Sequence, residues 1–217
     1  MRTGRMMRTV SAGAAATVLL GLGVVVPGAA SADETAAVAR QAGSSVTAKQ
    51  LPGLVKVARI APELADGFRI VNREKQVEGP GTTCRAESST KAAAGRSAIY
   101  TTTDFAGESA DSMLVYLEVF EMKSKKDAVK VAGSYRRFAK LCAGKDLDGA
   151  KVSRLALPKI GQQRAAMRMT ADDGYEAALT IARRGRTLVI TTVGDDRRVK
   201  RADVVAMTRL AFRTATK

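Results

Sequence analysis

The run SMLVYLEVFEM at residues 112–122, leading directly into KSKKDAVKVAGSYRRFAKLC at 123–142, constrains the fold more than any other part of the chain. Alternate residues of a strand point to opposite faces, so Met113, Val115, Leu117 and Val119 share one face. Tyr116, Glu118 and Phe120 point the other way. In the second run the apolar spacing changes to that of a helix. Ala128, Ala132, Tyr135, Ala139 and Cys142 form one stripe, widened by Val131, Phe138 and Leu141. Ser124 is placed to cap the helix, and Ala143-Gly144, with Lys140 in the last turn, is placed to end it.

Strand-forming stretches surround this unit. AIYTTTDF at 98–105 precedes it, separated by the turn-prone residues 107–111. Three or four further strands follow: KVSRLAL, QRAAMRMTA, YEAALTIARR and TLVITTVG. Asp172-Asp173-Gly174 and Arg184-Gly185 sit at hairpin positions. The last segment, RADVVAMTRLAFRTAT, is amphipathic, with Val204, Met207, Thr208 and Ala211 on one side and Val205 and Phe212 beside them. Strand, strand, helix, antiparallel strands, helix is an α+β order, and it predicts an antiparallel sheet with two main helices packed on one face. Residues 51–71, interrupted by Pro52, Gly53, Pro62 and Gly67, read as irregular packing, and 78–98 as loop-rich. Residues 33–50 read as a mobile arm, which leaves 51–217 as a single domain.

The N-terminus supplies the compartment. Arg2, Arg5 and Arg8, an apolar run from about residue 14 to 26, Pro27-Gly28 and Ala30-Ser31-Ala32 follow the order of a secretory signal peptide. Cleavage is expected after Ala32, and the absence of a Cys behind the apolar run removes a lipid anchor there, so the product is expected to be secreted. Subtracting the three arginines from the +15 of the whole chain leaves +12, a strongly basic surface. Cys84 and Cys142 are the two cysteines, and an even pair in an exported chain reads as one disulfide. Closing a loop of this size stabilises by about 4 kcal/mol in the chain-entropy account.

The chain has no His, which removes His-based nucleophilic triads, His general bases and His-containing zinc sites. Asp172-Asp173 and Asp195-Asp196 are the carboxylate pairs, but each lies beside Gly and reads as turn chemistry. Trp is absent, other aromatics are few, and no Gly-rich phosphate loop is present outside the signal. No catalytic residue, metal site or cofactor is therefore expected. The densest charge is GDDRRVKR at 194–201, ahead of the last helix. Free N–H groups of a helix start, together with Arg197, Arg198, Lys200 and Arg201, make a candidate site for sulfate, phosphate or carboxylate; the alternative is a solvated lead-in. The other basic turn, Arg183, Arg184 and Arg186, stands at the far end of a seven-residue strand, about 23 Å away. Export disfavours nucleic acid as a partner.

The stretches LEVFEMKSKKDAVKVAGSYRRFAKLCAG and GQQRAAMRMTADDGYEAALTIARRGRTLVITTVG, with the closing helix, resemble the extracellular sensor domain of actinobacterial Ser/Thr protein kinases of the PknH type and its exported stand-alone relatives. VTAKQLPGL is similar to the opening motif of those exported relatives, so the resemblance spans about residues 46–216. It implies a disulfide-stapled α+β domain with a cleft for an extracellular ligand, and a membrane sensor or kinase as partner. The chain departs from the kinase domains in having cysteines for one bridge rather than two, and no Trp before Cys142. The resemblance implies a non-enzymatic, sensor-like domain binding an envelope ligand. The alternative is a basic adhesion or interaction protein that holds anionic wall polymer.

Overall fold

The computed structural model describes residues 46–80, 84, 89–102, 113–147, 149–196 and 198–217. The expected signal peptide, residues 33–45 of the expected arm, the turn at 107–111 and Arg197 lie outside the described residues. The strands are β1 (Phe68–Val77), β2 (Thr90–Thr101), β3 (Leu114–Met122), β4 (Asp146–Leu147), β5 (Ala150–Arg154), β6 (Gln163–Ala171), β7 (Glu176–Arg184) and β8 (Thr187–Asp195). The α-helices are α1 (Leu54–Ala58), α2 (Lys125–Leu141) and α3 (Arg201–Ala215). All eight strands join one antiparallel sheet in the order β1-β2-β3-β8-β7-β6-β5-β4.

The class, the antiparallel sheet and the disulfide agree with the sequence reading. The hairpin glycines do too: Gly174 and Gly185 take φ of 92° and 60° between β6, β7 and β8. β1 and β4 were not expected, and β2 only at its end, where it overlaps AIYTTTDF. Residues 68–71, at the end of the stretch read as irregular, open β1, and residues 90–97, within the stretch read as loop-rich, form most of β2. β1 carries RxxxREK because it is the edge of the sheet, where charge blocks pairing with another chain. β2 carries Gly95 because it lies against bulky β3: a Cβ there would stand 2.5 Å from the Phe120 ring. Residues 46–50, placed in the arm, include a short 3-10 turn at Ala48–Gln50, and Val46 is buried.

The helices lie on opposite faces of the sheet, which corrects the expectation of one face. Val115, Leu117 and Val119 of β3 pack with Val204, Met207 and Ala211 of α3 and with Val57 and Leu64. Phe120 and Met122 pack with Ala128, Val131, Tyr135 and Phe138 of α2. The cause is in the central strands, since β8 is buried through Leu188–Gly194 and so presents apolar surface on both sides. Leaving either face wet would forgo roughly 1.5–3 kcal/mol for each large aliphatic side chain left exposed. The α3 side also holds the Thr180–Thr208 hydroxyl pair at 3.0 Å, and Thr208 donates on to the Val204 carbonyl, so both buried hydroxyls are satisfied.

On the α2 side, Ser124 caps the helix as read, its Oγ accepting from the Asp127 N–H at 3.0 Å. The apolar stripe of α2 faces the sheet except Leu141, which is 46% exposed. Cys142 closes the helix and bonds Cys84 with their Cα atoms 5.7 Å apart, tying the β1–β2 connection to the end of α2. Residues 155–162 cross from β5 to β6 and are held at Gly161, whose φ is 66°.

Candidate functional site

The groove beside α2 is built by three separated segments. Tyr135, Phe138 and Ala139 point α2 at the sheet, which leaves Arg136, Arg137 and Lys140 exposed on its flank. Opposite them, β5 ends at Arg154, across from Met167 of β6, and the chain continues through Leu155, whose N–H still donates to the Ala166 carbonyl at 3.3 Å. The strand beyond carries small residues, Ala165 and Ala166, so the surface dips. The result is an open hollow of about 470 Å³, lined by Arg136, Arg137, Lys140 and Arg154 over Leu155 and the two alanines. A second hollow of about 300 Å³ adds Arg164 and Leu157 and shares Arg136, Leu155, Ala165 and Ala166 with the first. Neither hollow is lined by a carboxylate or an aromatic ring.

Backbone carbonyls steer two of these guanidinium groups. Arg154 Nη2 donates to the Lys140 carbonyl at 3.5 Å, and Arg164 Nε to the Leu157 carbonyl at 3.3 Å. A guanidinium has five N–H donors, so each keeps others to offer. Sequence reasoning passed over these cations, although the RRFAK spacing on the polar side of the helix was a signal. Their convergence with Arg154 and Arg164 had none, because the sheet register creates it.

The expected anion site has a different surrounding. Val199, in the middle of the basic run, is buried; its N–H donates to Glu176 Oε2 at 3.0 Å and its carbonyl accepts from Arg168 Nη2 at 2.8 Å. Arg168 and Glu176 pair at 3.6 Å. Arg201 Nε donates to the Ala156 carbonyl at 2.8 Å, on the same 155–157 segment that borders the groove. Arg198 and Lys200 are exposed, and Lys200 occupies the cap position of α3 without a side-chain cap bond. The second basic turn is not a free cluster. Arg183 is buried, bonded to Gln163 Oε1 and the Gly185 carbonyl, and Arg186 pairs with Glu121 at 2.7 Å.

On the other flank of α2 lies an acidic and phenolic cluster that the sequence reading did not single out. Glu118 of β3 is 8% exposed and accepts from the Tyr116 hydroxyl at 3.4 Å. Ser97 stands opposite it on β2 and donates to Glu74 Oε1 of β1 at 2.6 Å. From α2, the Tyr135 hydroxyl donates to the Glu78 carbonyl at 2.9 Å. Burial, then the charges of Glu74 and Glu78, push the Glu118 carboxyl up to about 8 against the bond from Tyr116. Tyr116 is raised by burial and then by Glu118 and Glu74, and Tyr135 by burial and then by Glu118, Glu78 and Tyr116. A neutral Glu118 is the physical consequence, since a carboxylate there would face low dielectric and two like charges. Among the described residues no three His, Cys, Asp or Glu side chains stand where they could hold a metal ion.

No family model matches the chain, and no curated protein matches it. Among the described residues no helix is long and apolar enough to cross a membrane. Among solved structures the chain is similar to the extracellular domain of PknH from Mycobacterium tuberculosis, at 12% identity and a TM-score of 0.52. The likeness covers 77% of this chain and 94% of that one, and at this identity what it shows is a shared fold.

Proposed function

We propose that this protein is an exported, non-enzymatic binding domain of the sensor type, acting at the cell envelope and taking its ligand in the basic groove beside α2. The observation that carries the reading is that groove: five cations over an aliphatic floor, on a fold similar to a kinase extracellular domain. The disulfide fits an oxidising compartment, and the Arg-rich N-terminus followed by Ala30-Ser31-Ala32 fits export with cleavage after Ala32. Signalling, in this reading, runs through a membrane-bound sensor or kinase partner. Thermal-shift screening of the secreted protein against envelope fragments tests it. Stabilisation by an anionic fragment, lost when Arg136 and Lys140 are replaced by Ala, is the expected result; no shift with any envelope component overturns it.

The net charge of +12 that remains when the three signal arginines are taken from +15 favours one second reading, electrostatic adhesion to anionic wall polymer through the whole basic surface. Saturable binding that depends on the groove residues supports the sensor-type domain. Binding that scales only with total charge removed, wherever it is removed, supports adhesion.

A further inference from the structure

The two hollows run into each other through Arg136, Leu155, Ala165 and Ala166. Their cations are strung along a trough instead of converging on one point: Arg136 and Lys140 lie a helical turn apart, about 6 Å along the axis. Arg154 and Arg164 come from the opposite wall, on β5 and β6. A single small anion is held best by donors gathered around it. An open trough with cations at intervals matches a chain that carries charges at intervals, and four of the five cations are Arg, whose planar fork fits phosphate oxygens in pairs.

The floor selects among linear polyanions. Nucleic-acid bases bind by stacking on aromatic side chains, and flat sugar rings use similar platforms. No aromatic residue lines the trough; its apolar surface is Leu155, Leu157, Ala139, Ala165 and Ala166. Aliphatic side chains accept the C–H faces of acyclic CH2–CHOH linkers, which have no ring that needs a stacking partner. We propose that the trough binds a linear phosphodiester polymer with acyclic alditol linkers, engaging about three phosphates. This rests on the reading of the groove as the ligand site and names the ligand class.

The test uses the full secreted protein and fluorescently labelled glycerol phosphate oligomers of two, four and eight phosphates, with affinity read by anisotropy over a salt series. Affinity is expected to rise about tenfold from two to four phosphates, with log K falling against log salt at a slope of about −2, as three neutralised phosphates on a single strand require. Arg136→Ala/Lys140→Ala/Arg154→Ala is expected to lose about tenfold or more. The charge-matched Arg73→Ala/Lys75→Ala/Lys91→Ala, on the exposed β1–β2 edge, is expected to keep wild-type affinity. All six residues are exposed, and an unchanged melting temperature confirms that each variant folds. Binding independent of chain length, equal binding of oligogalacturonate or single-stranded DNA, equal loss in both variants, or binding only to phosphatidylglycerol vesicles each overturns the proposal. If no oligomer binds while another envelope fragment shifts the melting temperature through the groove residues, the polymer is wrong and the sensor-type domain stands. If neither binds, both fall.

Discussion

Replacing Glu118 by Gln isolates one buried proton. The amide keeps the side-chain volume and can still accept from the Tyr116 hydroxyl, while its charge no longer depends on pH. Glu118 titrates at about 8 in the fold against 4.5 in a free chain, so the folded state holds its proton more tightly. The stability this contributes is fully present below about 4.5 and is lost as pH rises through about 8. Between those limits the slope is about −1.4 kcal/mol per pH unit, which makes the loss on the order of 3 kcal/mol by pH 7. At about 2–4 °C per kcal/mol for a domain of this size, that is roughly 10 °C in melting temperature. Thermal and urea unfolding followed by circular dichroism at pH 4.5, 5.5, 6.5 and 7.5 would measure it. The two proteins should match at pH 4.5, and the Gln variant should gain steadily as pH rises. Taking the difference removes every other titrating group that the two share. Parallel curves would refute the reasoning, since they would mean that Glu118 ionises in the fold as it does in water. Glu74→Gln should flatten the wild-type curve in part, because the Glu74 charge is the second cause of the shift.

Gly161→Ala should cost about 2–4 kcal/mol, read as a lower urea midpoint, because the new Cβ meets the Arg183 carbonyl at 2.5 Å and the Phe212 ring at φ 66°. Reducing Cys84–Cys142 should lower stability by about 4 kcal/mol, seen as a lower melting temperature in dithiothreitol. Glu176→Gln removes the charge that faces Arg168 and weakens the acceptor for the Val199 N–H; faster amide exchange at residues 198–203 is the expected readout, and unchanged exchange would separate that pair from the order of the loop.

Local chemistry made much of the fold legible. β6 falls on QRAAMRMTA as read, and α2 and α3 begin at the residues that their apolar periods predict. Both hairpin turns follow from glycine at positive φ, and the Ser124 cap from its own hydroxyl. β1 was not legible because an edge strand, half wet, need not alternate cleanly, and its FRIVNREKQV is charged for the reason that keeps edges apart. Most of β2 was hidden because it is built from small residues: Gly95 is required beneath Phe120, while Ala94 and Ala98 pack on the opposite face.

The candidate sites divide in the same way. The exposed cations of GDDRRVKR were visible as a run, yet the roles of its neighbours were not, since Val199 is buried onto Glu176 and Arg168 from 23 and 31 residues away. By itself the sequence determined what each short segment becomes: strand or helix by period, turn by glycine, a single disulfide by the count of cysteines. Only the tertiary structure decided which face of the sheet each helix covers, which distant cations share a groove, and that burial beside Glu74 and Glu78 pushes the Glu118 carboxyl up. Periodicity and capping act within a few residues of chain. Burial, charge repulsion and groove formation act between segments that touch only after strand pairing has brought them together.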